Sequence, residues 1–97
     1  MTTKYNLPVE YDNLSSKEKK VVREQYISLQ KGLCWHCEHS LDNDAPAHIL
    51  AKPINHMMFP PRFLKYPIHL QHDHDTGLTE GVVHAYCNAV LWQYYGR

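Results

Sequence analysis

Two hydrophobic periods run along this chain, and the change from one to the other marks its elements. Val22, Tyr26, Leu29 and Leu33 follow at steps of four, three and four, the spacing of one helical face. Ser15 stands where an N-cap belongs, and Glu18, three residues on, supplies the other half of a capping box. Gly32 occupies the place of a left-handed C-terminal cap, so a helix is predicted over 14–32. Further on, Ile68-His69-Leu70-Gln71-His72 alternates with period two and predicts a short strand. Asp73 to Gly81 reads as a turn-rich connection, and the β-branched Val82-Val83-His84 predicts a second strand. A closing helix is expected from about Ala85 to Gly96, with Val90, Leu91 and Tyr94 on its buried side.

The remaining segments lack a period. Residues 1–13 carry Pro8 and predict an extended or loosely ordered arm. In 47–67, Pro53, Pro60, Pro61 and Pro67 interrupt Ile54, Met57, Met58, Phe59, Phe63 and Leu64. Prolines at that density forbid a long helix or a central strand. The expectation is an ordered insert of short turns whose aromatic residues pack on the core, because exposing so much apolar surface is costly. There is no internal repeat and no low-complexity tract. The organisation is therefore one α+β domain over 1–97: arm 1–13, helix 14–32, and a core over 33–96 that carries the insert 47–67.

Composition narrows the function. Ninety-seven residues suffice for one small core. Ten Lys plus Arg balance ten Asp plus Glu, which rules out gripping nucleic acid by bulk charge alone. At 43% hydrophobic and 11% aromatic the chain is globular rather than disordered. No apolar run approaches the roughly 20 residues of a membrane helix, and Met1-Thr2-Thr3-Lys4 opens no signal peptide. A cytoplasmic protein with no membrane partner is expected.

Cysteine and histidine change the picture most. The three cysteines, an odd number in a chain without an export signal, argue for metal or free thiols over disulfides. Cys34-Trp35-His36-Cys37 follows the helix cap at once, with the spacing of a zinc knuckle. His84-Ala85-Tyr86-Cys87 repeats that spacing where the second strand meets the last helix. Cys34, Cys37, His84 and Cys87 make a three-thiolate, one-imidazole set for a structural Zn²⁺, which would staple so small a domain. His36 and His39 beside the knuckle are alternative ligands, and Cys37 and Cys87 as merely buried small residues are the plainer reading. Of the other histidines, His69 reads as structural, and His48 and His56 as solvent or packing residues of the insert. Trp35, Trp92, Tyr94 and Tyr95 read as core and rim.

Cys34-x2-Cys37, Leu70-Gln71-His72-Asp73-His74-Asp75-Thr76-Gly77 and Glu80-Gly81-Val82-Val83-His84-Ala85-Tyr86-Cys87-Asn88 together resemble the HNH nucleases of the recombination endonuclease VII type. The likeness covers residues 33–96, about two thirds of the chain, and its motifs occur in the family's order. It implies a small zinc-stapled ββα-metal (HNH, His-Me) finger, with the N-terminal helix and the proline-rich insert added to it. It also implies His72 as the general base that activates water, and Asn88 as a ligand of a catalytic Mg²⁺ or Mn²⁺. Read from its place in the loop, His74 is a third metal ligand, a phosphate contact or only a turn residue.

Two departures bear on activity. Gln71 stands where the family carries a metal-binding Asp, and a neutral amide brings no charge to a hard cation. Glu80 stands where the family has an Arg, which removes a phosphate contact. In a register slipped by two residues, Asp73-His74 would serve instead as the acid–histidine pair. The resemblance thus implies a metal-dependent endonuclease that cuts or nicks DNA, of the kind small phage and prophage proteins supply in a host cytoplasm. The alternative is a zinc-bearing module that has lost efficient catalysis and acts by binding DNA or a host or phage protein.

Overall fold

The computed structural model describes residues 5–60 and 62–96; residues 1–4 of the expected arm, Pro61 and Arg97 lie outside them. Helix α1 (Ser16–Leu29) starts where the sequence predicts. Ser15 Oγ accepts from the Glu18 N–H at 3.2 Å, and Glu18 Oε1 accepts from the Ser15 N–H at 3.0 Å. The helix ends sooner than Gly32. Lys31 and Gly32 both take left-handed backbone, at φ 57° and 74°, and Gly32 N–H donates to the Ile27 carbonyl. The early end corrects the predicted apolar face: Leu29 and Leu33 are 66% and 41% exposed. The stripe that docks is Val22, Tyr26 and Gln30, and Gln30 does so as a hydrogen-bonding group.

Strands β1 (Ile68–His72) and β2 (Thr79–His84) pair antiparallel, with Leu70 opposite Val82 and Gln71 opposite Gly81. The register shifts between Gln71 and His72, whose partner is Thr79, so Glu80 is the extra residue of a β-bulge. The second strand therefore begins at Thr79, inside the stretch expected to be a turn. A helix α2 (Ala47–Leu50) follows the knuckle in sequence, and α3 (Ala85–Tyr95) continues directly from β2 and stops at left-handed Gly96. Val90 and Leu91 are buried as expected, whereas Tyr94 is 44% exposed, its hydroxyl donating to the Pro53 carbonyl at the edge of the insert.

The core lies between α1, the hairpin and α3, around Val22, Tyr26, Val82, Val83 and Val90. Tyr26 bridges two elements, its hydroxyl 2.8 Å from Thr79 Oγ1 and donating to the Thr79 carbonyl. Gln30 accepts from the Val82 N–H at 2.8 Å and donates to the Val82 carbonyl at 2.9 Å, standing in for a missing strand. Trp35 N–H donates to the same carbonyl. This close approach requires glycine at position 81, where a Cβ would lie 2.8 Å from Gln30 Oε1 and 2.9 Å from the Trp35 ring.

The arm is more ordered than its sequence suggests. Val9 exchanges hydrogen bonds with Thr79, Glu10 bridges Leu78, and Tyr11 N–H donates to the Gly77 carbonyl. It runs along β2 because that strand's outer edge would otherwise leave backbone groups unpaired. The insert departs from expectation in the other direction. It forms α2, a 3-10 turn at His56–Met58 and further turns; Ile49 is buried in the core and Ile54 packs against it, but Met57 is 92% and Tyr66 60% exposed. Phe59 and Phe63 pack on each other at 4.7 Å and Phe63 meets His69 edge-on, so this segment walls a cleft instead. No helix among the described residues is long and apolar enough to cross a membrane.

Candidate functional site

Chemistry-bearing side chains collect in two places. The first is the corner where the knuckle meets the β2–α3 junction. Leu33 bridges Ser40, Glu38 N–H donates to the Cys34 carbonyl, and Glu38 takes φ 63°, which closes the loop around Cys34 and Cys37. Strand β2 ends on His84, and the first turn of α3 brings Cys87 beside it. The ligand atoms of Cys34, Cys37, His84 and Cys87 all lie within 4.8 Å of one another, close enough to hold a metal ion. Zinc bonds of about 2.0–2.3 Å at tetrahedral angles separate ligand atoms by about 3.5–3.8 Å. His84 Nδ1 lies 3.4 Å from Cys37 Sγ and 3.7 Å from Cys87 Sγ.

The imidazole of this corner is oriented for a cation. His84 Nε2 donates to the Ser40 carbonyl at 2.9 Å, which fixes the tautomer and turns the Nδ1 lone pair toward the sulfurs. A hydrogen bond from Cys87 pulls the Cys34 thiol well below its usual value, and the same bond, with burial, pushes Cys87 up. Burial also raises Cys37. A set of three sulfurs and one imidazole at this spacing is consistent with structural zinc. His36 and His39 stand outside the cluster, His39 Nδ1 bonding the Cys37 carbonyl.

The second place is a cleft of about 500 Å³ between α1, β1, α3 and the insert. Its floor holds Gln71, His72, His74 and Asn88, which the hairpin and α3 bring together from 71 to 88 in sequence. His72 stacks on Tyr11 at 4.1 Å with the rings 11° apart, and its other neighbour is His74 at 4.7 Å. His74 in turn meets Trp92 at 4.5 Å. Burial lowers the His72 pKa, with His74 and Lys19 adding to the effect and Asp12 and Glu80 opposing it. The imidazole is thereby kept neutral near pH 7, the form a proton acceptor needs.

Asn88 and Gln71 differ as ligands of a hard cation. Asn88 Nδ2 lies 3.0 Å from His69 Nδ1; an amide nitrogen only donates, so the ring nitrogen accepts and the Asn88 oxygen remains as its donor atom for a cation. That atom fits Mg²⁺ or Mn²⁺. Gln71, 2% exposed, donates from Nε2 to the His72 carbonyl and to Glu80 Oε1. It is a neutral group tied to its neighbours, and the carboxylate at this corner is Glu80. Asp73 accepts from the N–H groups of Asp75 and Thr76, which makes its carboxylate the organiser of the turn.

Two contributors, His69 and Tyr11, escaped the sequence reading. His69 borders the cleft and binds Asn88, although a flat strand would send it and His72 to opposite faces. The ladder's register shifts between Gln71 and His72, opposite the bulged Glu80, and no residue type announces that irregularity. Lys19 and Arg23, one turn apart on α1, also line the cleft. Tyr11, from the arm, covers His72. Comparison with known protein families, curated proteins and solved structures finds no match to this chain.

Proposed function

We propose that this protein is a small HNH-like endonuclease, held together by one structural zinc, that hydrolyses or nicks DNA phosphodiester bonds in the cleft. The observation that carries the reading is the meeting of His72, His74 and Asn88 with Lys19 and Arg23 around one cavity. The ordered motifs that resemble the recombination endonuclease VII type, and the strand, loop, strand, helix order of 68–95, support it. Cys34, Cys37, His84 and Cys87 would hold the zinc, a closed four-ligand set that leaves no position for substrate.

In this reading His72 takes the proton from the attacking water, and Lys19 and Arg23 face the charge that grows on the phosphate. Asn88 would hold Mg²⁺ or Mn²⁺, with Gln71 a weaker second ligand. Such a cation supplies charge neutralisation at the phosphate when bound. His69 fixes the Asn88 amide, and Tyr11 fixes the plane of His72. The test is nicking of supercoiled plasmid with added Mg²⁺ or Mn²⁺: His72→Ala should retain zinc and lower the rate by about 10²- to 10⁴-fold.

A second reading, a zinc-bearing module that binds DNA or a host or phage protein without cutting, is favoured by one observation. Gln71 brings no charge and pairs with Glu80, so a cation there meets fewer anionic oxygens than hard cations prefer. Gln71→Asp distinguishes the two. In a working nuclease it lowers the metal concentration needed for nicking; in a binding module it restores no cleavage.

A further inference from the structure

Resting on the nuclease reading, we infer that the cleft takes an unpaired nucleotide of DNA, and that the insert 47–67 supplies the wall on which its base stacks. The lining falls into two contact-linked groups that differ in chemistry. One holds the cations Lys19 and Arg23 and the imidazoles, with Lys19 over the Tyr11 ring at 4.1 Å, Tyr11 stacked on His72, and His74 beside it. The other carries Met58, Phe59, Pro60, Phe63 and Tyr66 from the insert and is apolar. A phosphate is matched by the first side and a planar base by the second, and a nucleotide has both in one unit.

A paired duplex cannot use both sides. Its base faces are covered by their neighbours, so it offers phosphates and groove edges and would leave the aromatic wall unmatched. An unpaired nucleotide presents a π-face, and a cavity of about 500 Å³ is the size that encloses one small ligand rather than a rod of DNA. The exposure of the wall points the same way. Tyr66 is 60% and Met58 48% exposed, an apolar cost at the surface that a stacked base would offset. The overall charge of zero also fits a grip made of a few local cations plus stacking, rather than a long phosphate track.

The test is equilibrium binding by fluorescence anisotropy, using the zinc-loaded full chain without added divalent cation. The probes are an end-labelled oligothymidylate and the same strand annealed to its complement. The single strand should bind at least about tenfold more tightly than the duplex. Phe59→Ala and Tyr66→Ala should each weaken single-strand binding by about fivefold or more and leave duplex binding unchanged, while Phe59→Trp retains it. Lys19→Gln should weaken both probes and flatten their salt dependence. Tyr66 is on the surface, so its variant reports on stacking even if Phe59→Ala disturbs the insert. Duplex binding equal to or tighter than single-strand binding overturns the inference, as does unchanged single-strand affinity in both alanine variants at full zinc content. Either result beside normal plasmid nicking leaves the nuclease reading standing; failure to bind or cut any DNA removes both.

Discussion

The metal corner gathers where β2 meets α3, whereas the cleft runs along the whole of β1, and the two are built by opposite means. The corner is closed: three of its four ligand residues are buried, its donors sit within 4.8 Å, and a backbone carbonyl orients its histidine. The cleft is open and assembled from the arm, α1, β1, α3 and the insert, with no cluster of three or more His, Cys, Asp or Glu ligand atoms among the described residues. A closed set of soft donors fixes geometry, whereas an open set of half-buried imidazoles and amides can admit a substrate. Stability should reside in the first and chemistry in the second.

The largest expected effect breaks the corner. Removing the ion with a strong chelator, or making Cys87→Ser, should unfold the domain, because ligand binding and folding are one equilibrium in so small a chain. Circular dichroism and metal analysis check this: about one zinc per folded chain is expected, and a stable fold that carries no metal would refute it. His72→Ala, in contrast, should leave both readings unchanged.

This contrast also explains what could be read from the sequence. The Cys34, Cys37, His84 and Cys87 set was legible because two x2 spacings at element ends are local patterns, and both strand β1 and helix α3 were legible from period alone. The cleft was legible only in part. His72, His74 and Asn88 stand out through a resemblance, but His69 reaches Asn88 through the packing of β1 on α3, Tyr11 joins through the pairing of the arm with β2, and Lys19 and Arg23 through the docking of α1. Those are tertiary events between residues far apart in sequence. The helix face was misread at Leu29 because Gln30, a polar residue, makes the contact to Val82 that a period of apolar residues was expected to make.

A smaller effect should strike both regions together. Gly81 lies under Gln30 and Trp35, which tie α1 and the knuckle to β2. Gly81→Ala forces those side chains aside and should cost about 1–3 kcal/mol, the usual range for overpacking. Denaturant unfolding of the zinc-loaded protein measures it; no shift in midpoint would show that the close approach relaxes freely.

The smallest effect is on pH dependence and belongs to the cleft alone. Burial holds His72 below the ordinary 6.5, with His74 and Lys19 acting in the same sense. The acid limb of the nicking rate should therefore fall below pH 6.5. Lys19→Gln removes a repelling cation and should move the limb up, whereas Glu80→Gln or Asp12→Asn should move it down. The linkage to stability has the sign of a depressed histidine: its contribution is present above the unfolded value and fades as pH falls through the folded one. A limb above 6.5 that ignores all three substitutions would assign the titration to another group.

Division of labour between the two regions is tested most directly by plasmid nicking at matched zinc content and matched thermal stability. The wild-type chain should nick supercoiled DNA when Mg²⁺ or Mn²⁺ is added, and His72→Ala and Asn88→Ala should each abolish most of that rate while staying folded. Nicking that persists in both variants, or a folded, zinc-loaded wild type that cuts no DNA with either metal, would contradict the account.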